Sequence, residues 1–136
     1  MADISKINME RINGLLDKLD EVTNKINSMK YVVESYQNGT TWYRIWSDGW
    51  IEQGGVTSNI SWNGNGADEN ITLPIEMKDV NYSLIATMSN TTGNWNYPGC
   101  RAIISSSTTI KIGIASAGSS SQGTAKCIWE VKGYKK

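Results

Sequence analysis

Two stretches of this chain collect the residue types that hold sugars: Trp62 within WNGNG, and Asn94, Trp95, Asn96 and Tyr97 within GNWNYPG. An indole or phenol ring can cover the apolar C–H face of a sugar while neighbouring amides bond its hydroxyls, and loops are where such contacts concentrate. These five residues form the candidate ligand-binding set. Catalytic chemistry is far less well supplied. Histidine is absent, which removes the usual general base, metal ligand and pH switch, and every Ser-His, Cys-His and His-metal mechanism with them. Asp68 and Glu69 are adjacent, but neighbours on a strand point to opposite faces and do not converge as the carboxylate pair of a glycoside hydrolase must. The acidic residues do not cluster as a calcium loop either. The expectation is a binding protein, not an enzyme, with no metal and no cofactor.

Cys100 and Cys127 are too few and too far apart for a disulfide framework or a structural zinc site. Each lies beside apolar, strand-like sequence and reads as a buried thiol; a disulfide between them stays open. Net charge is zero and the 13 basic residues are scattered, so nucleic acid is not an expected partner. No apolar run approaches the roughly 20 residues of a membrane span, and the start MADISKINMERI has neither the cationic nor the apolar region of a signal peptide. Neither membrane insertion nor signal-peptide export is expected. Five Asn-x-Ser/Thr triplets, at Asn38, Asn59, Asn70, Asn81 and Asn90, read as chance in a chain rich in these residues.

Two kinds of element must position the candidate loops. Residues 4–36 lack proline and carry a seam at Ile12, Leu15, Leu19, Val22, Ile26, Met29 and Val33, spaced alternately three and four apart. That period of 3.5 keeps one stripe facing partner helices in a left-handed supercoil. The seam residues are the predicted oligomerisation set, and residues 1–36 the predicted coiled-coil stalk. Its register runs back through Asn8 and Ser5, giving a polar or fraying end. Beyond residue 37 the period changes. QNGT (37–40) is a linker or turn; residues 42–46 and 50–54 flank Ser47-Asp48-Gly49, a strong hairpin signal. Gly54-Gly55 indicates a bulge or a close backbone approach. Residues 70–73, 82–88, 102–105, 108–115 and 125–133 complete the strand candidates, with Ile110, Ile112 and Ile114 alternating against Thr109, Lys111 and Gly113. Short strands between Gly, Asn and Ser turns give an antiparallel sandwich. Trp42, Tyr43, Trp46, Trp50, Trp129 and Tyr134 are expected in core or subunit packing. Arg44, Asp48, Glu52 and Gln53 are expected as cross-strand or intersubunit partners.

The head, residues 37–136, resembles the C-terminal domain at the tips of bacteriophage tail fibres. The resemblance rests on YRIWSDGWIEQGG (43–55), and more weakly on ITLPIEMKDVNYSL (71–84) and IWEVKGYKK (128–136). Such tips are similar in architecture to H-type lectins, and the resemblance implies a trimer of antiparallel sandwiches on a coiled-coil shaft that recognises host surface receptors. The implied partners are further copies of the chain, a bacterial surface glycan or wall polymer, and other tail-fibre or baseplate proteins. The implied location is the virion, after synthesis in the host cytoplasm. The predicted fold is therefore mainly β with an N-terminal α-helix: a trimeric stalk (1–36) and a β-sandwich receptor-binding head (37–136). A structural virion cap without receptor binding, or a free lectin-like protein of a bacterium or prophage, are the competing readings. The chain is short for a fibre, which suits a fragment or a separately encoded tip.

Overall fold

A computed structural model describes residues 4–64, 66–94, 99–115 and 122–136. The helix α1 spans Ile4–Ser28. Glu21 and Lys25, four apart in the favourable order, form an exposed 2.6 Å ion pair on it. The expected helix to residue 36 is too long. Its last turn is closed by Ser28 Oγ donating to the Lys25 carbonyl at 2.8 Å, and Val32–Asn38 is a strand, β1. Val33, predicted as a seam residue, belongs to that strand, and Met29 falls just beyond the helix. The physical reason lies in YVVESY (31–36): β-branched and aromatic residues favour a pleated strand once a partner strand is available. Met1–Tyr31 and Val32–Lys136 separate as two compact units, so the boundary lies at residues 31/32 and not 36/37.

The second unit is an antiparallel sandwich. One sheet holds β1, β2 (Thr41–Trp46), β3 (Trp50–Val56), β9 (Gln122–Tyr134) and β4 (Ile60–Asn63) in that order, with β6 (Ser83–Asn94) on the other edge of β9. The other holds β5 (Ala67–Thr72), β8 (Thr109–Ala115) and β7 (Gly99–Ile104). Strand β9 is the spine: it pairs with β6 from Gln122 to Lys132, with β4 at Gln122–Ala125 and with β3 at Ile128–Tyr134. Thr57 fills the break between β3 and β4. Its hydroxyl accepts from the Cys127 amide at 2.8 Å, and its own amide donates to the Cys127 carbonyl at 2.9 Å.

Period-two alternation builds the core. Ile110, Ile112 and Ile114 of β8 and Cys127 and Val131 of β9 are fully buried, with Trp62, Trp129 and Tyr82 closing around them. Gly54 and Gly55 mark a close approach and not a bulge, since the β3–β9 register runs unbroken through them. A Cβ on Gly54 would lie 2.9 Å from the Trp42 ring, and one on Gly55 3.0 Å from the Trp129 ring. Residues 73–78 tie the two sheets together at one end. Leu73 and Met77 amides donate to the Thr108 and Ser107 carbonyls, and the Lys78 amide to the Tyr134 carbonyl.

Candidate functional site

The hairpins that begin the head carry aromatic and polar side chains that are exposed on β1 and mostly half-buried on β2. Register places Tyr36 opposite Tyr43, Gln37 opposite Trp42 and Ser35 opposite Arg44 on β1 and β2, so each pair shares a face. The two tyrosine rings stack at 5.3 Å and 17°. Tyr43 donates its hydroxyl to Glu34 Oε1 at 2.5 Å, and that carboxylate holds the phenol above its ordinary range. On the opposite face the Arg44 guanidinium lies 5.8 Å from the Trp42 ring centroid. Ser35, Tyr36, Gln37, Trp42, Tyr43 and Arg44 line a cleft of about 490 Å3. The two faces of the ribbon contribute differently: one carries the stacked tyrosines, while the other sets the Trp42 ring beside the Ser35 hydroxyl, the Gln37 amide and the Arg44 guanidinium, a set able to cover a sugar face and bond its hydroxyls. Every residue of β1 is exposed.

The turn to β3 is built as its sequence requires. Gly49 sits at φ 81°, its amide donates to the Trp46 carbonyl at 2.9 Å, and Asp48 Oδ1 accepts from the Trp50 amide at 3.1 Å. Trp50 meets Tyr134 edge to face at 5.1 Å. Among the described residues Trp46 Nε1 is a buried donor with no acceptor. The predicted cross-strand partners resolve individually. Glu52 and Glu130 flank Lys132 at 4.0 and 3.1 Å. Gln53 is fully buried instead: its amide nitrogen donates to the Ile75 carbonyl and its amide oxygen accepts from the Ile75 amide, both at 2.9 Å.

The loop candidates separate. Trp62 is not in a loop; it lies on β4, 4% exposed, with its ring against Gly123 of β9. At that exposure the ring packs the core. WNGNG concealed this because the strand is only four residues long and its turn glycines follow at once. Asn94 ends β6 opposite Gln122. Trp95, Asn96 and Tyr97 lie outside the described residues. Asp68 and Glu69 sit on opposite faces of β5, as alternation requires, and each has a partner. Asp68 accepts from Nε and one Nη of Arg101, which raises the guanidinium above its ordinary range, and Glu69 Oε2 accepts from Ser58 Oγ at 3.0 Å. Around them Ser58–Ser61 and Ala67–Glu69 edge a shallow polar groove of about 270 Å3. Among the described residues no three His, Cys, Asp or Glu side chains gather closely enough to hold a metal ion, and no helix is long and apolar enough to cross a membrane. Missing β1 from sequence hid Ser35, Tyr36 and Gln37; alternation in YVVESYQ was the signal available.

No family model matches the sequence, and no curated protein sequence matches it. In structure the chain is similar to a fibre fragment of the P. aeruginosa R1 pyocin comprising C-terminal residues 323–701, with a TM-score of 0.52 and 15% identity. The likeness covers 75% of this chain and 28% of that one, so this protein spans a minor part of the fibre fragment. At this identity the shared property is the fold: a β-rich, tail-fibre-like head.

Proposed function

We propose that this protein is the tip of a phage or phage-like tail fibre, a homotrimer that attaches to a surface glycan or wall polymer of a bacterial host. The single observation that carries the reading is the likeness of its fold to the pyocin fibre fragment. The helix supports the trimer: Ile12, Leu15, Leu19, Val22 and Ile26 are all more than half exposed in one chain, a stripe that further copies would cover. Contact with the glycan falls to Asn94, Trp95, Asn96 and Tyr97, with the cleft on β1 and β2 as the second surface of fitting chemistry. Three linked sites would give firm attachment from weak single contacts. Other fibre or baseplate proteins would hold the stalk, which places the chain in the virion. The tip needs no catalysis.

The test uses fluorescently labelled full-length protein on a panel of bacteria, with surface glycan extracted from the strain that binds as competitor. Binding that the glycan abolishes, and that falls at least tenfold in the Trp95→Ala/Tyr97→Ala double variant, is the expected result. Undiminished binding by the double variant and by Tyr36→Ala/Arg44→Ala would refute the site assignment. No binding to any strain, with the trimer intact, would favour a structural cap.

A further inference from the structure

The sandwich brings its two cysteines together. Cys100 lies on β7 opposite Ile114 of β8, a fully buried residue of the inner face. Cys127 lies on β9 opposite Met88, between Ala125 and Trp129 on the same inward face, and is itself fully buried. The two side chains therefore point into one interior layer from opposite sheets. There Cys100 packs against the core group that contains Cys127, close enough for each thiol to shift the titration of the other. Both are free thiols.

We propose that Cys100 and Cys127 are a dithiol that small-molecule disulfides oxidise to an intersheet disulfide, a covalent staple between β7 and β9. The pair differs in access, and that sets the order of events. Cys100 is only partly covered and Cys127 is sealed, so the external reagent meets Cys100. The Cys100 thiolate attacks one sulfur of oxidised glutathione; a Cys100–glutathione bond forms, and one glutathione leaves as its thiolate. Cys127 Sγ then attacks Cys100 Sγ; the Cys100–glutathione bond breaks, and the second glutathione leaves as its thiolate, taking up the proton that Cys127 gives up. Two protein thiols and one glutathione disulfide become one protein disulfide and two glutathione thiols. The second step joins two side chains of one interior layer, so no reagent has to enter the core. Burial holds both thiols above their ordinary range, which makes the oxidation slow at neutral pH. A chain made in a reducing cytoplasm would keep the thiols and acquire the staple outside it. This does not depend on what the head binds.

The experiment incubates the full-length protein with oxidised glutathione, alkylates it under denaturing conditions and maps tryptic peptides without reduction. Peptide 79–101 joined to peptide 127–132 is expected, with a rise in Tm of roughly 5–10 °C that dithiothreitol reverses. A glutathione adduct that persists on Cys100, a link between chains, or two thiols that remain alkylatable would each overturn the proposal. Cys100→Ala supplies the control, because it should fold, form no staple and leave Cys127 unmodified until the protein is denatured.

Discussion

A buried glutamine is the most exacting residue in the head. Gln53 has no exposed surface, and its amide reproduces a backbone ladder for Ile75 by donating to the carbonyl and accepting from the N–H. It thus anchors residues 73–78, which close the end of the sandwich, to β3. Replacing it with leucine keeps most of the volume and strands both Ile75 groups, so Gln53→Leu should cost about 2–4 kcal/mol by denaturant unfolding. Gln53→Glu keeps the acceptor and loses the donor, and should not restore stability. Cys127 gives a prediction of the same scale through pH. Burial, and after it the neighbouring Cys100 and Glu69, push its thiol from 9.0 up to about 12. The folded state therefore holds a proton that the unfolded chain surrenders first. This contribution is complete below pH 9.0 and is lost as pH rises toward about 12. Unfolding midpoints measured from pH 8 to 11 should fall more steeply for the wild type than for Cys127→Ala, and equal slopes would show the thiol is not held in this way.

At the scale of elements, the turn between β2 and β3 shows how far local chemistry reaches. Gly49 adopts φ 81°, a region that β-branched residues avoid. Gly49→Val should therefore destabilise the head by about 1–3 kcal/mol, and Asp48→Ala, which removes the acceptor of the Trp50 amide in this exposed turn, should destabilise it as well. Circular dichroism melts of both variants would rank them. This hairpin was plain in the sequence because Asp-Gly between aromatic runs has few other solutions, and β8 was plain because three isoleucines alternate without interruption. The helix end was hidden. Val33 continues the 3.5-residue seam by coincidence, and only the partner strand β2 pulls it out of the helix, which no local pattern records. Strand β4 is hidden because four residues are too few for a period, so the sequence presents Trp62 as a loop aromatic although it is a core residue. The meeting of Cys100 with Cys127 required the packing of two sheets, which the sequence leaves open. The candidate ligand residues were legible as a composition of rings and amides, whereas the cleft on β1 and β2 needed the strand pairing that sets Tyr36 beside Tyr43.

For the whole molecule the decisive quantity is the number of chains. Five seam side chains of α1, from Ile12 to Ile26, are 51–69% exposed in the single chain, and covering that remaining half to two-thirds of an aliphatic side chain is worth about 1–2 kcal/mol each. A monomer would forgo all of that, whereas a trimer would gain it three times over. Light scattering on the full chain should accordingly give about 45 kDa, three times 15.0 kDa. Leu19→Asp with Ile26→Asp places three acidic groups in each of two seam layers, where desolvation and mutual repulsion oppose assembly. That variant should fall to 15 kDa if the helix alone holds the trimer, and under the proposed attachment role it should then lose most cell binding through lost multivalency. If it stays trimeric, the exposed strand β1 and its neighbours in the head become the main interface, and Tyr36 and Val32 become the residues to change next. A wild-type mass of 15 kDa would remove the oligomeric stalk and the multivalent part of the proposed role, leaving the fold likeness alone to support a fibre tip.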